Sequence, residues 1–494
     1  MTMVPVGEYL PDLPALENPG ATEAKNVIPA ANGYRPFPSL STYSEPLAGR
    51  ARGAFATRDA AGNGANFAAD ATKLYKLSAA TWSDVSRTVG GPYATALDGG
   101  WDFAQFGDLV IAVNFNDAPQ KWQLGASANF AALGGNPPNA RFVVTVRDFV
   151  VLGRVAGFPG RVKWSGINNA ETWTVSPTTQ SDQQDLPDGG WIQGIIGGEF
   201  GTVLQERAIK RMTYVGAPLV FQFDEISGNV GATIEGSIAA FENMVFFAHA
   251  SGFYLLRDAK ELQAIGDHKV DRHFWTDIDQ SYLYRVSAAV DPVGKLYVIS
   301  YPGAGHSGGL PNKVLIYNWA IGRWSRAEAD LELVYPGLSQ AGYTLEGLDA
   351  VSVSLDALPF SLDSAVWAGV GRPLLAGFNS AHRLGYFQGS ALNAVVETTE
   401  AQLVTGQRAL VRAVRPLVEG DAATAAAITL QLGTRNTTVE PVTWAAPRVL
   451  DGNGLCPVRS NARYHRARIS IAPETNWSQI RGVDEVRVRA AGTR

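Results

Sequence analysis

With 494 residues, the chain is too long for one ordinary domain and suits either three units of roughly 150 residues or one large all-β architecture. Its 46% hydrophobic share excludes a disordered or collagen-like chain, and the lone Cys456 excludes an internal disulfide, a thiolate zinc site and a redox pair, so a reducing cytoplasm is the expected compartment. A net charge of −5 excludes a protein that grips nucleic acid over its whole surface, Met1–Leu10 lacks the marks of a signal peptide, and apolar runs such as Met244–Phe247 fall far short of the roughly 18 residues of a membrane span.

Residues 1–50 carry prolines at 5, 11, 14, 19, 29, 36, 38 and 46 and keep no period for long. Proline fixes φ and removes a donor, so this stretch predicts an extended arm, with a disordered tail as the alternative. Tyr34, Phe37, Leu40 and Tyr43 give it apolar side chains with which to dock on the C-terminal region or a neighbouring subunit. The propeller described next is expected to fold without it.

From Ala51 to about residue 390 the texture becomes short Val, Ile, Phe, Tyr and Trp runs punctuated by Gly, Asn and Asp, which predicts strands and tight turns. Phe142–Val146 and Phe149–Leu152 flank a two-residue turn, as do Met244–His249 and Gly252–Leu256. Val286–Val290, Lys295–Tyr301, Val314–Trp319 and Gly322–Ser325 have the content of one propeller blade. A strand with a Tyr or Trp, followed by a further apolar element, recurs at Leu74-Tyr75, Lys121-Trp122, Lys163-Trp164, Met212–Tyr214, Phe253-Tyr254, Ile316-Tyr317 and Leu384–Phe387. Spacings of roughly 40 to 60 residues fit a closed ring of sheets, because a single sheet cannot bury both faces. The reading for 51–390 is therefore a β-propeller of six or seven blades, with stacked sandwiches as the alternative. Trp164, Trp173 and Trp324 are its expected core residues. Gly166–Trp173 resembles a worn Asp-box turn in which Asn168 and Trp173 keep their places, a stabilising motif without catalytic meaning.

Residues 391–494 alternate apolar with Arg or polar residues in Ala394–Thr398, Arg408–Leu417, Ile428–Leu432, Tyr464–Ile471 and Val483–Arg489, predicting a separate antiparallel β domain. Only Ala422–Ala427 is helix-prone, too short to stand alone.

Few residues offer chemistry. Gly305-His-Ser-Gly-Gly309 fits the nucleophile elbow, but the residues after Ser307 predict a strand where the elbow needs a helix. Asp267, His268, Asp271 and His273 are metal-ligating types whose spacing does not converge on a strand or a helical turn. Glycosidases require two facing carboxylates, and the adjacent pairs Asp224-Glu225 and Asp484-Glu485 point to opposite faces of a strand. No phosphate loop occurs. No catalytic residue, metal or cofactor is expected.

The ordered features resemble one family, the β-rich nozzle, or tail tubular protein B, of short-tailed bacteriophages. The resemblance is carried by Asn26–Pro38, Gly49–Phe55, Asp102–Ile111, Arg141–Trp173 with its Arg147–Arg154 centre, Val314–Ser325, and Tyr464–Arg468 through Trp477–Gly482, weak motifs spread over most of the chain. It implies a structural virion protein, six copies of which form a ring below an adaptor ring and portal, with a channel for genome ejection and tail fibres as further candidate partners. A carbohydrate-active or carbohydrate-binding propeller is the alternative. A ring subunit would leave the propeller centre undecorated, whereas a carbohydrate-active monomer would gather Arg and acidic residues at one end of the blades.

Residues 401–494 hold 13 Arg, no Lys and 7 acidic residues, a balance of +6 that leaves −11 for residues 1–400. Arg forks suit protein interfaces as well as phosphates. A conduit must let duplex DNA slide without adhering. Arg412, Arg415, Arg463, Arg466 and Arg468 are therefore expected to face neighbouring subunits and the adaptor ring, and the acidic propeller region to contribute to the channel wall.

Overall fold

The computed structural model describes every residue except 1–3, 17, 340–350, 353, 355, 356, 359, 368–370, 422, 485–487 and 493–494. The chain is built almost wholly of antiparallel strands whose side chains alternate between neighbouring layers. Among the described residues, six four-stranded sheets stand alone, and a seventh four-strand meander begins a ten-stranded sheet. Blades 1 to 6 span Gly53–Asp84, Asp102–Ala132, Ala140–Asp185, Ile192–Ser227, Ala239–Ala264 and Ser287–Glu328. Blade 7 takes Leu333–Leu338, Pro373–Phe378 and Arg383–Ala391 from late in the chain and Pro38–Pro46 as its outermost strand. The result is a closed β-propeller.

The aromatic strand endings read from the sequence are the third strands of the seven blades in order. Each blade thereby sends large apolar groups against its neighbour, and among the described residues seven apolar clusters fill the interfaces around the ring. Trp164 lies between blades 3 and 4, its indole donating to the Gln180 carbonyl at 2.9 Å. Trp324 is fully buried between blades 5 and 6, donating to the Ile265 carbonyl at 2.8 Å.

The Gly166–Trp173 loop joins the third and fourth strands of blade 3 and swings Trp173 back onto blade 2, where its indole donates to the Ala170 carbonyl at 2.8 Å. Asn169, not Asn168, pins the turn by accepting from the Glu171 amide at 2.9 Å, while Asn168 takes a positive φ of 54°.

The N-terminal arm is ordered against its own chain, and the sequence-based boundary at residue 50 is displaced. Pro38–Pro46 belongs to blade 7, so the propeller is not complete without the arm. Ala24–Lys25 runs parallel to the last strand of blade 6 and antiparallel to Ala394–Glu397, welding the blade to the C-terminal strands in one ten-stranded sheet. The C-terminal region is thus continuous with the propeller rather than separate from it. Val27–Ala30 and Gly33–Pro36 form a hairpin on Trp477–Asp484. At its turn Gly33 has a φ of 148°, and a Cβ there would strike the Ile480 carbonyl.

A seven-stranded sheet containing Ala409–Gly420, Cys456–Ala462 and Trp477–Asp484 shares one apolar core with Ile428–Arg435 and Tyr464–Ile471 of the ten-stranded sheet. The helix-prone segment contributes one turn, Thr424–Ala427, with Asp421 accepting from the Thr424 amide at 3.0 Å. Among the described residues no helix is long and apolar enough to cross a membrane.

Candidate functional site

The first strands of the blades begin around the propeller axis, where they enclose a cavity of about 460 Å³. Every blade places a polar side chain there at or just before its first strand: Arg52, Asp102, Arg141, Gln193, Glu235, Arg285 and Glu332 in chain order. Glu235 receives Arg141 at 3.1 Å and also Arg154, which in turn reaches Gln193 Oε1 at 3.0 Å. Glu332 is held by His382 Nδ1 at 2.8 Å. Asp102 accepts from the Val143 amide at 2.9 Å, and burial pushes its carboxyl up to about 6. Arg50 joins Arg52 and Arg285 in the lining. The propeller centre is therefore decorated, contrary to the expectation for a ring subunit.

Sequence reasoning assigned no role to these side chains. Arg50 and Arg52 lie in the Gly49–Phe55 motif and Arg141 opens the blade 3 motif, but their convergence depends on blade closure. The one local signal is a charged or amide residue at or just before the start of an apolar strand.

The other chemical candidates are dispersed. Ser307 lies exposed in the short 3-10 turn Ser307–Gly309 between two strands of blade 6, without the helix of a nucleophile elbow. Asp271 begins the short helix Asp271–Asp277 and accepts from the Phe253 amide at 3.0 Å, while His268 is exposed. Asp12 of the arm caps that helix, accepting from the Arg272 and His273 amides at 2.9 and 2.7 Å. Among the described residues no group of three potential ligands could hold a metal. Asp224 and Glu225 occupy one strand of blade 4, where Lys210 lies 3.6 Å from Glu225; Glu485 lies outside the described residues.

The C-terminal arginines divide by environment. Arg466 and Arg468 turn inward onto buried Glu397, at 3.3 and 2.6 Å, and their guanidiniums lie 4.8 and 3.8 Å from the Trp444 ring centre. Arg466 also donates to Thr22 Oγ1 at 3.1 Å, so the pair fastens the arm to the sheet. Arg415 is half-buried and reaches the Asn453 carbonyl at 3.4 Å. Arg412 and Arg463 are exposed, as is Arg459, on the strand paired with that of Arg412. Of the five expected interface residues, Arg412 and Arg463 thus face outward, and Arg466 and Arg468 serve the chain's own packing.

No protein-family model matches the chain, and no curated protein matches it. Similar solved structures include the computationally designed Ika8 protein, 10% identical over 77% of this chain and 99% of that one, with a TM-score of 0.38. BamB from Moraxella catarrhalis is 12% identical over 74% and 94% of the two chains, with a TM-score of 0.34. The blade order and closure of the present fold rest on its own strand pairing.

Proposed function

We propose that the chain is a structural subunit of the tail nozzle of a short-tailed bacteriophage, assembling as a ring of six at the virion tail. The observation that carries this reading is the ten-stranded sheet. By threading Ala24–Lys25 between blade 6 and the C-terminal strands, it joins propeller and Arg-rich region in one hydrogen-bonded sheet, a link that would carry load between the parts of a ring subunit. The family resemblance supports the same reading and adds the adaptor ring and portal as partners, tail fibres as further candidates and duplex DNA as the passing cargo. Outward-facing Arg412, Arg459 and Arg463 are the candidate contacts between subunits.

Negative-stain microscopy and native mass spectrometry of the purified protein test this reading. Six-membered rings are expected, opened by combined Arg412→Glu and Arg463→Glu substitution without loss of fold. Monomers at every concentration would overturn the assembly, and tight duplex binding at physiological salt would overturn the non-adhesive conduit.

One observation favours the second reading, a carbohydrate-binding or carbohydrate-active propeller: Arg and carboxylate side chains gathered at the axial cavity. A monomer that binds or cleaves a sugar would select it.

A further inference from the structure

Three guanidiniums, those of Arg50, Arg52 and Arg285, share the axial cavity, and among the described residues none of them forms an ion pair. The carboxylates beside them are already engaged: Glu235 by Arg141 and Arg154, Glu332 by His382 and the Ala51 amide, and Asp102 by the Val143 amide. Asp98 stands exposed at the rim. Backbone carbonyls satisfy part of the donor set. Arg50 donates to Leu97 O at 3.3 Å, and Arg52 donates to Thr95 O at 3.1 Å and also to Ala96 O. Among the described residues, the buried Nε groups of Arg52 and Arg285 have no acceptor.

Such an arrangement is costly for the empty protein. Burial, and then the charges of Arg285 and Arg52, push Arg50 down to about 10, and burial likewise lowers Arg52. A fold that keeps like charges together beside unused donors, while Glu235 and Glu332 are engaged by other groups and Asp102 by the Val143 amide, has left room for an anion. Tyr284 adds an aromatic wall, its ring centre 5.9 Å from the Arg50 guanidinium carbon. A cavity of about 460 Å³ suits a small organic ligand.

We propose that the mouth of the axial cavity is an oxyanion-binding site for a small molecule bearing a carboxylate or phosphate group. Arg50, Arg52 and Arg285 hold the oxyanion, since guanidinium forks match both groups in shape and charge. Tyr284 flanks the remainder of the ligand. The site goes beyond the ring-subunit reading and stands whether or not the chain oligomerises.

Calorimetric titration and thermal unfolding of the full chain, at constant ionic strength set by chloride, test the proposal with inorganic phosphate, glucuronate and, as a neutral control, glucose. Saturable one-to-one binding of at least one anion is expected, with a Kd below about 1 mM and no comparable effect of glucose. Preference for phosphate or for glucuronate separates phosphorylated from carboxylated ligands. Arg285→Gln should weaken the preferred anion by at least about tenfold. It should also raise the ligand-free melting temperature, because it removes a like charge; an arginine kept for packing would lower it. Arg50→Gln should behave alike. The proposal fails if neither anion saturates the protein below about 10 mM, or if the Arg50→Gln, Arg285→Gln double variant binds as wild type does.

Discussion

Arg326, on the last strand of blade 6, holds both carboxylate oxygens of Glu23 at 2.8 and 2.7 Å across 303 residues of sequence. Arg326 is also the parallel register partner of Lys25, two residues after Glu23, so the ion pair locks the arm where propeller and C-terminal strands meet. Glu23→Gln keeps the size but loses the charge-assisted fork. A loss of about 1.5–3 kcal/mol in chemical denaturation is expected, together with faster proteolysis of the arm.

Truncation should separate the arm's two tasks. Removing residues 1–22 leaves Ala24–Lys25 and Pro38–Pro46 in place, and a cooperative melt should survive. Removing residues 1–50 strips the outer strand of blade 7 and exposes the edge of Arg383–Ala391, so the propeller should lose its cooperative transition. Equal melting temperatures for the two deletions would contradict this division.

Trp173→Ala and Trp324→Ala each empty a buried site in a different blade interface and should cost about 3–5 kcal/mol. Trp324 packs in tilted contact with Phe253 and Tyr317 at 5.0 and 4.8 Å between ring centres and should be the more costly. Urea titration of both variants measures the order.

Asp102 should make stability depend on pH in a defined direction. Its folded pKa is raised from 3.8 to about 6, so the stabilisation associated with its protonated form is complete below pH 4 and lost as pH rises through 6. Asp102→Asn keeps an oxygen for the Val143 amide and removes that loss. The variant should melt above wild type at pH 7.5 and together with it at pH 4; a gap that does not change with pH would contradict the assignment.

Arg466→Glu should act on folding before it acts on assembly. It sets a second carboxylate against buried Glu397 and removes a cation from the Trp444 face, a loss of about 3–5 kcal/mol. Arg463→Glu lies on the exposed face and should change stability by less than about 0.5 kcal/mol. Circular dichroism melts of the two single variants distinguish the roles.

Local pattern and remote pairing made unequal contributions to what could be read in advance. Strand alternation and the recurring Tyr or Trp at Tyr75, Trp122, Trp164, Tyr214, Tyr254 and Tyr317 were legible because each third strand is a short segment whose period and punctuation are set within a few residues. The sequence alone therefore determined an all-β chain with a propeller in its middle and Arg-rich strands at its end.

Tertiary structure decided where the ring closes, where the arm threads and which arginines are exposed. Pro38–Pro46 pairs with Arg383–Ala391, and Lys25 with both Arg326 and Val395, through backbone groups that leave no periodic mark on either partner. Arg463 and Arg466 are three residues apart and chemically identical, yet one is exposed and the other faces Glu397. The axial cluster of Arg50, Arg52 and Arg285 exists only because closure brings the starts of seven strands to one axis, and charge convergence is a property of that geometry.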